Sequence, residues 1–176
     1  SEKGIVVFNT PGANANAVSE LVVTALLMGS RKIVKAIDWV KTLKDDENLS
    51  KTVEKGKKQF VGQELLGKKL GVIGLGAIGA RVANTALGLG MEVLGYDPYL
   101  SVVSALHLSR HVDVTNDIDE LFKTCDYITL HVPMTDKNKG MISKDKINVM
   151  KDGVVIINLA RGELVNTDDI IEGVNS

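Results

Sequence analysis

Apolar residues fall along the chain in two regimes. Over residues 17–43 they recur at helical spacing, at Val18, Leu21, Val22, Ala25, Leu26, Ile33, Ile37 and Val40, which predicts one long helix with Asn14 or Asn16 as its cap. At 1.5 Å per residue it would reach roughly 40 Å. That is long for a small domain, so part of it would pack on a partner subunit or a second domain. A kink at Gly29-Ser30, giving two core helices, is the competing expectation. Ahead of it, residues 4–9 resemble a short strand ended by Thr10-Pro11-Gly12. Behind it, residues 44–58 are polar with both charge signs interspersed, the pattern of a solvated face or loop.

From Lys69 onward the pattern changes. Short apolar runs at residues 70–73, 92–96, 111–114, 127–130 and 154–157 alternate with helical stretches at 78–89, 102–108, 117–125 and 143–150, and a last helix starts at Asn166. Strands alternating with helices at this spacing predict an α/β fold with a doubly wound parallel sheet. Right-handed crossovers put every strand's carboxyl end on one edge, which is where such sheets bind ligands.

The first of these strands runs straight into Gly74-Leu75-Gly76-Ala77-Ile78-Gly79 and then a helix. A bare Gly-x-Gly-x-x-Gly is weak evidence, but strand, glycine turn and helix is the order its mechanism demands. Gly74 makes the tight turn, Gly76 lets backbone approach a pyrophosphate, and Gly79 lets helix pack on strand. The amides of Ala77 and Ile78 then face the phosphates at the helix N-terminus. After the next strand comes Asp97, followed by Pro98, which cannot continue a ladder. Its carboxylate can accept from both ribose hydroxyls and repels a 2'-phosphate, and residues 98–102 hold no Arg or Lys to rescue one. The expectation is a Rossmann-type domain that favours NAD over NADP.

Composition narrows the picture without redirecting it. With 176 residues one domain is expected, and a net charge of -1 offers no field favouring nucleic acid or an anionic membrane. Cys125 is the one cysteine, so neither an internal disulfide nor a cysteine metal cluster can form. It is expected as a small apolar residue at a helix end. No uncharged apolar stretch reaches a membrane-spanning length of about 18 residues and no signal peptide opens the chain, so a cytoplasmic location is expected.

Two further strand tips fall on the ligand edge, His131-Val132-Pro133-Met134-Thr135 and Asn158-Leu159-Ala160-Arg161-Gly162. His131 reads as a structural or loop histidine, while His107 and His111 read as surface residues. Arg161 is better placed for chemistry, since a guanidinium at a strand's carboxyl end can hold a carboxylate through two parallel hydrogen bonds.

Taken together, the glycine turn, the Gly-Met-Glu-Val-Leu-Gly-Tyr-Asp-Pro stretch and these two tips resemble the D-isomer-specific 2-hydroxyacid dehydrogenases. Residues 9–20 are also similar to the linker and helix that open that family's NAD domain. The resemblance implies that Ala77 and Ile78 serve the pyrophosphate, that Asp97 with Pro98 holds the adenosine ribose, and that Val132 and Pro133 line the adenine side. It places Leu159 and Ala160 near the nicotinamide, and it makes Arg161 the catalytic arginine that holds a small 2-hydroxy acid by its carboxylate and carbonyl.

It further implies a homodimer through the helix from Ala17, with residues 1–16 a strand and linker from a substrate domain and residues 17–176 an NAD-binding domain lacking its last strands. The family's glutamate and histidine follow the arginine motif, and neither His131 nor Glu163 sits in their motif. A piece inactive alone is therefore expected, since a placed acid and base contributes about 10²–10⁴ in rate. Two other classes compete: a non-catalytic, dehydrogenase-like module that senses NAD, and an S-adenosylmethionine methyltransferase, which would explain neither Gly79 nor the Arg161 loop.

Overall fold

A computed structural model describes residues 4, 6, 8, 10 and 12–175. The strand expected over residues 4–9 and the turn at Pro11 fall largely on residues outside that set. The sheet has five strands, β1 (Lys69–Ile73), β2 (Glu92–Tyr96), β3 (Asp113–Thr115), β4 (Tyr127–Leu130) and β5 (Val155–Asn158), in the order β3-β2-β1-β4-β5. Every pairing is parallel. The strand order reverses at β1, which pairs with β2 on one side and β4 on the other, so the crevice between the β1 and β4 tips is the topological switch point. The core strands are short, nearly continuous apolar runs because helices cover both sheet faces, and all four residues of β4 are buried.

Eight helices flank the sheet among the described residues: α1 (Ala15–Arg31), α2 (Ile33–Thr42), α3 (Leu49–Gly56), α4 (Ala77–Gly88), α5 (Val102–Leu106), α6 (Ile118–Thr124), α7 (Lys144–Ile147) and α8 (Thr167–Asn175). On one face, α1 and α4 pack over Leu70, Val72 and Val93. On the other, Leu121, Phe122 and Cys125 of α6 and its end pack against Ile73, Ile128 and Leu130. Cys125 is buried as expected, and burial pushes its thiol up to about 11.

The long helix of the sequence reading is two helices, broken at Lys32 in a left-handed conformation (φ 50°, ψ 30°) rather than kinked at Gly29-Ser30. The cause is tertiary. A continuing helix needs the Ser30 carbonyl for the amide four residues on, but the Gln63 N–H takes it at 2.9 Å as the chain returns. Only α1 contributes to the core, through Ala15, Ser19, Val22, Leu26 and Ser30. Nothing on α2 is buried, so the expectation of two core helices fails.

Residues 44–58 form the solvated face of the expectation rather than the loop, since α3 and a following 3₁₀ turn (Lys57–Phe60), with no buried residue, occupy much of that stretch. They are held by Phe60 against Trp39 of α2, with ring centroids 5.0 Å apart. The helix opened at Ser143 stops at Ile147, short of Met150.

Candidate functional site

The glycine turn leaves β1 with Gly74 at φ 93°, a conformation that side chains resist. A Cβ there would come within 2.6 Å of the His131 carbonyl oxygen, so the turn closes only because the residue has none. At Gly79 an added Cβ would run into the Gly74 carbonyl, which is the close packing of helix on turn expected from the motif. Gly76 differs from both, since its Cβ would meet open space. That opening lies on the ligand edge beside the start of α4, whose cap residue Gly76 makes no side-chain cap bond. Among the described residues the amides of Ala77 and Ile78 have no acceptor. An uncapped helix start with free N–H groups and a side-chain-free approach fits a pyrophosphate.

The neighbouring tips are locked together one residue beyond the strands. Gly74 N–H donates to the Tyr96 carbonyl at 2.8 Å, and His131 N–H donates to the Ile73 carbonyl at 2.7 Å. Asp97 therefore arrives beside the turn, and its Oδ2 accepts from the Leu75 N–H at 2.9 Å while Oδ1 accepts from Tyr99 N–H at 2.9 Å. Each carboxylate oxygen keeps lone-pair capacity for a ribose hydroxyl. Pro98, next in the chain, is exposed. From the turn a groove of about 490 Å³ runs along α4 to α5, lined by Gly76, Ala77, Arg81, Asn84, Ser104 and His107 among others.

On the other side of the switch point, Val132 is half-buried and Pro133 exposed. The loop they open is closed by Asn138, whose Nδ2 donates to the Pro133 carbonyl at 2.7 Å and whose Oδ1 accepts from Thr135 N–H at 2.7 Å. His131 sits 3.0 Å from the buried Thr129 hydroxyl through Nε2, which gives that hydroxyl its partner. Burial pushes the imidazole down to about 4, so it is neutral at pH 7 and a poor proton donor there.

Beyond β5, Leu159 is exposed and Ala160 half-buried. Arg161 is exposed, and no carboxylate pairs with it among the described residues. Its Nη1 donates only to the neighbouring Ala160 carbonyl, at 2.9 Å.

The fold thus brings the tips of β1, β2, β4 and β5 to one edge, with the residues expected from sequence to hold cofactor or substrate on or next to those tips, and His107, His111 and Cys125 away from them. Sequence reasoning missed Asn138 and Asn158. Their signal was slight: an asparagine two to five residues from the backbone groups it binds, in an Asx turn only at Asn158.

A parallel sheet with its switch point beside an uncapped glycine-turn helix, and a carboxylate at the next strand tip, defines a dinucleotide-binding domain. Residues 23–176 match the family described as D-isomer specific 2-hydroxyacid dehydrogenase, NAD binding domain, and the chain belongs to that family. It is similar to a D-3-phosphoglycerate dehydrogenase of Methanocaldococcus jannaschii, 41% identical over 98% of this chain and 30% of that protein. A hydroxypyruvate reductase of Thermotoga maritima is 41% identical over 99% of the chain and 52% of its own length.

Among solved structures, D-lactate dehydrogenase from Aquifex aeolicus complexed with NAD and lactic acid is 34% identical, with a TM-score of 0.80, over 99% of this chain and 48% of that one. The chain therefore spans from about a third to about half the length of the relatives it matches. Among the described residues no helix is long and apolar enough to cross a membrane.

Proposed function

We propose that the protein carrying this domain transfers a hydride between a D-2-hydroxy acid and NAD, and that Arg161 holds the acid's carboxylate. The unpaired guanidinium at the carboxyl end of β5, on the same edge as the open glycine turn and Asp97, carries this reading. Gly74, Gly76 and Gly79 shape the turn, the Ala77 and Ile78 amides take the pyrophosphate, and Asp97 with Pro98 takes the adenosine ribose. Val132 and Pro133 face the adenine side, with Leu159 and Ala160 toward the nicotinamide. When bound, NAD supplies the hydride acceptor or donor. Arg161 would then orient the substrate carbon through two parallel hydrogen bonds to its carboxylate. His131, neutral and committed to Thr129, is not the proton donor in this scheme.

The shared chemistry of the substrates named for relatives is a carboxylate beside the reacting carbon. D-3-Phosphoglycerate dehydrogenase recurs among those relatives, and this supports 3-phosphoglycerate as the substrate, with a cytoplasmic role in serine biosynthesis. Residues 1–16 would belong to a strand and linker of the substrate domain and residues 17–176 to the NAD-binding domain. That domain would pair with a second copy through the apolar face of α1 and α2.

The test is Arg161→Ala in the full-length protein. Turnover of D-2-hydroxy acids should fall about 100- to 1,000-fold while NAD affinity holds within about twofold. Undiminished turnover would overturn the assignment. No turnover of any D-2-hydroxy acid by the unaltered protein, with NAD-dependent partner binding retained, would mark a sensing module instead.

A further inference from the structure

Arg161 has little of its own to hold it in place. It follows the end of β5 by three residues, its backbone is extended (φ -139°, ψ 135°), and its guanidinium is exposed. Reach alone would let such a side chain sweep a wide arc. The Arg161 carbonyl accepts a longer bond from the Leu164 N–H at 3.3 Å, and the shorter one ties it to Asn158, the last residue of β5, which lies level with Leu130 in the ladder to β4. Its side chain spans the tip, with Oδ1 accepting from the Ala160 N–H at 3.0 Å and Nδ2 donating to the Arg161 carbonyl at 2.7 Å.

The first bond is an ordinary Asx turn, which aspartate or serine would also make. The second needs an amide nitrogen at that reach, and it ends on the backbone of the arginine itself. It carries the register of the sheet interior to an exposed residue.

We infer that Asn158 is a positioning residue for Arg161: its side-chain amide clamps the Leu159–Ala160–Arg161 loop so that the guanidinium meets the substrate carboxylate in one orientation. The inference rests on the proposed role of Arg161. It extends that role by naming the group that sets the arginine's direction, and it explains why asparagine rather than another turn-former stands at the strand end.

Two substitutions in the full-length protein separate the clamp from the turn. Asn158→Asp keeps the shape and the Oδ1 acceptor but loses the donor facing the Arg161 carbonyl. Asn158→Ser keeps a turn-forming oxygen, is too short to reach that carbonyl, and adds no charge beside the guanidinium. Each should lower kcat/KM for the hydroxy acid by about 10- to 100-fold, with KM raised, while NAD affinity stays within about twofold. A role confined to folding would lower the melting temperature without producing this split between substrate and cofactor.

Combining Asn158→Ser with Arg161→Ala decides the route of action. The double variant should be no worse than Arg161→Ala alone, since a clamp has nothing left to position. Additive losses, or full activity of both Asn158 variants, would overturn the clamp. Full activity of Arg161→Ala would instead remove the reading beneath it, and the two failures are told apart by which single variant keeps its turnover.

Discussion

Burial pushes His131 down to about 4 because a charged imidazole at the tip of β4 would be stripped of water. In the unfolded chain the same group titrates near 6.5. Between about pH 6.5 and 4 the unfolded chain therefore takes up a proton that the folded one refuses, and stability falls as pH falls through that window, levelling off below it. Each pH unit of the window is worth at most about 1.4 kcal/mol. His131→Gln keeps a partner for the Thr129 hydroxyl and removes the titration. Its melting temperature should decline less than the parent's from pH 7 to pH 4, and superimposed profiles would refute the account.

At this scale the tight turn at Gly74, the close packing at Gly79 and the place of Asp97 beside the turn were legible because strand, glycine turn, helix and second strand follow in a set order. The pairings of Thr129 with His131 and of Asn158 with Arg161 were not. They depend on which way a side chain turns at a strand end, and no periodicity records that.

At the scale of elements, β2 and β4 match the residue ranges read from sequence and β1 begins one residue earlier, at Lys69, because buried parallel strands are short apolar runs bounded by turn residues. The break between α1 and α2 was hidden because its cause lies at Gln63, about 30 residues further along the chain. The helical pattern continues unbroken through Lys32, and only the returning chain takes the Ser30 carbonyl away from it. The surface helix α3 was hidden as well, since interspersed charges suit a solvated helix as well as a loop.

Lys32 holds a positive φ that costs an ordinary residue about 1 kcal/mol or more, while glycine gives back roughly 0.5–1 kcal/mol through the freedom it loses on folding. Lys32→Gly should therefore be neutral to about 1 kcal/mol more stable, and Lys32→Val clearly less stable, by urea midpoint at unchanged slope. A stable valine variant would mean that the helices rejoin when Lys32 changes.

For the whole molecule, the unexplained feature is α2. A surface helix normally buries an apolar stripe, yet Val34, Ile37 and Val40 stand 50%, 51% and 49% exposed. Trp39 and Phe60 attach the helix from another side, so the stripe is presented outward instead of being left by a loose fit. Leu21, Leu27 and Met28 of α1 are exposed as well, and monomers rarely leave large apolar patches uncovered.

The proposed occupant is the same face of a second copy, because a twofold pairing asks the patch only to complement itself. Ile37→Glu combined with Val40→Glu should convert a dimer into a monomer by sedimentation. The melting temperature of the dilute protein should barely move, since exposed substitutions usually shift stability by less than about 0.5 kcal/mol. A dimer that survives both charges would place the interface elsewhere. A monomer formed only with loss of helical signal would mean that α2 holds the fold together and not the pair.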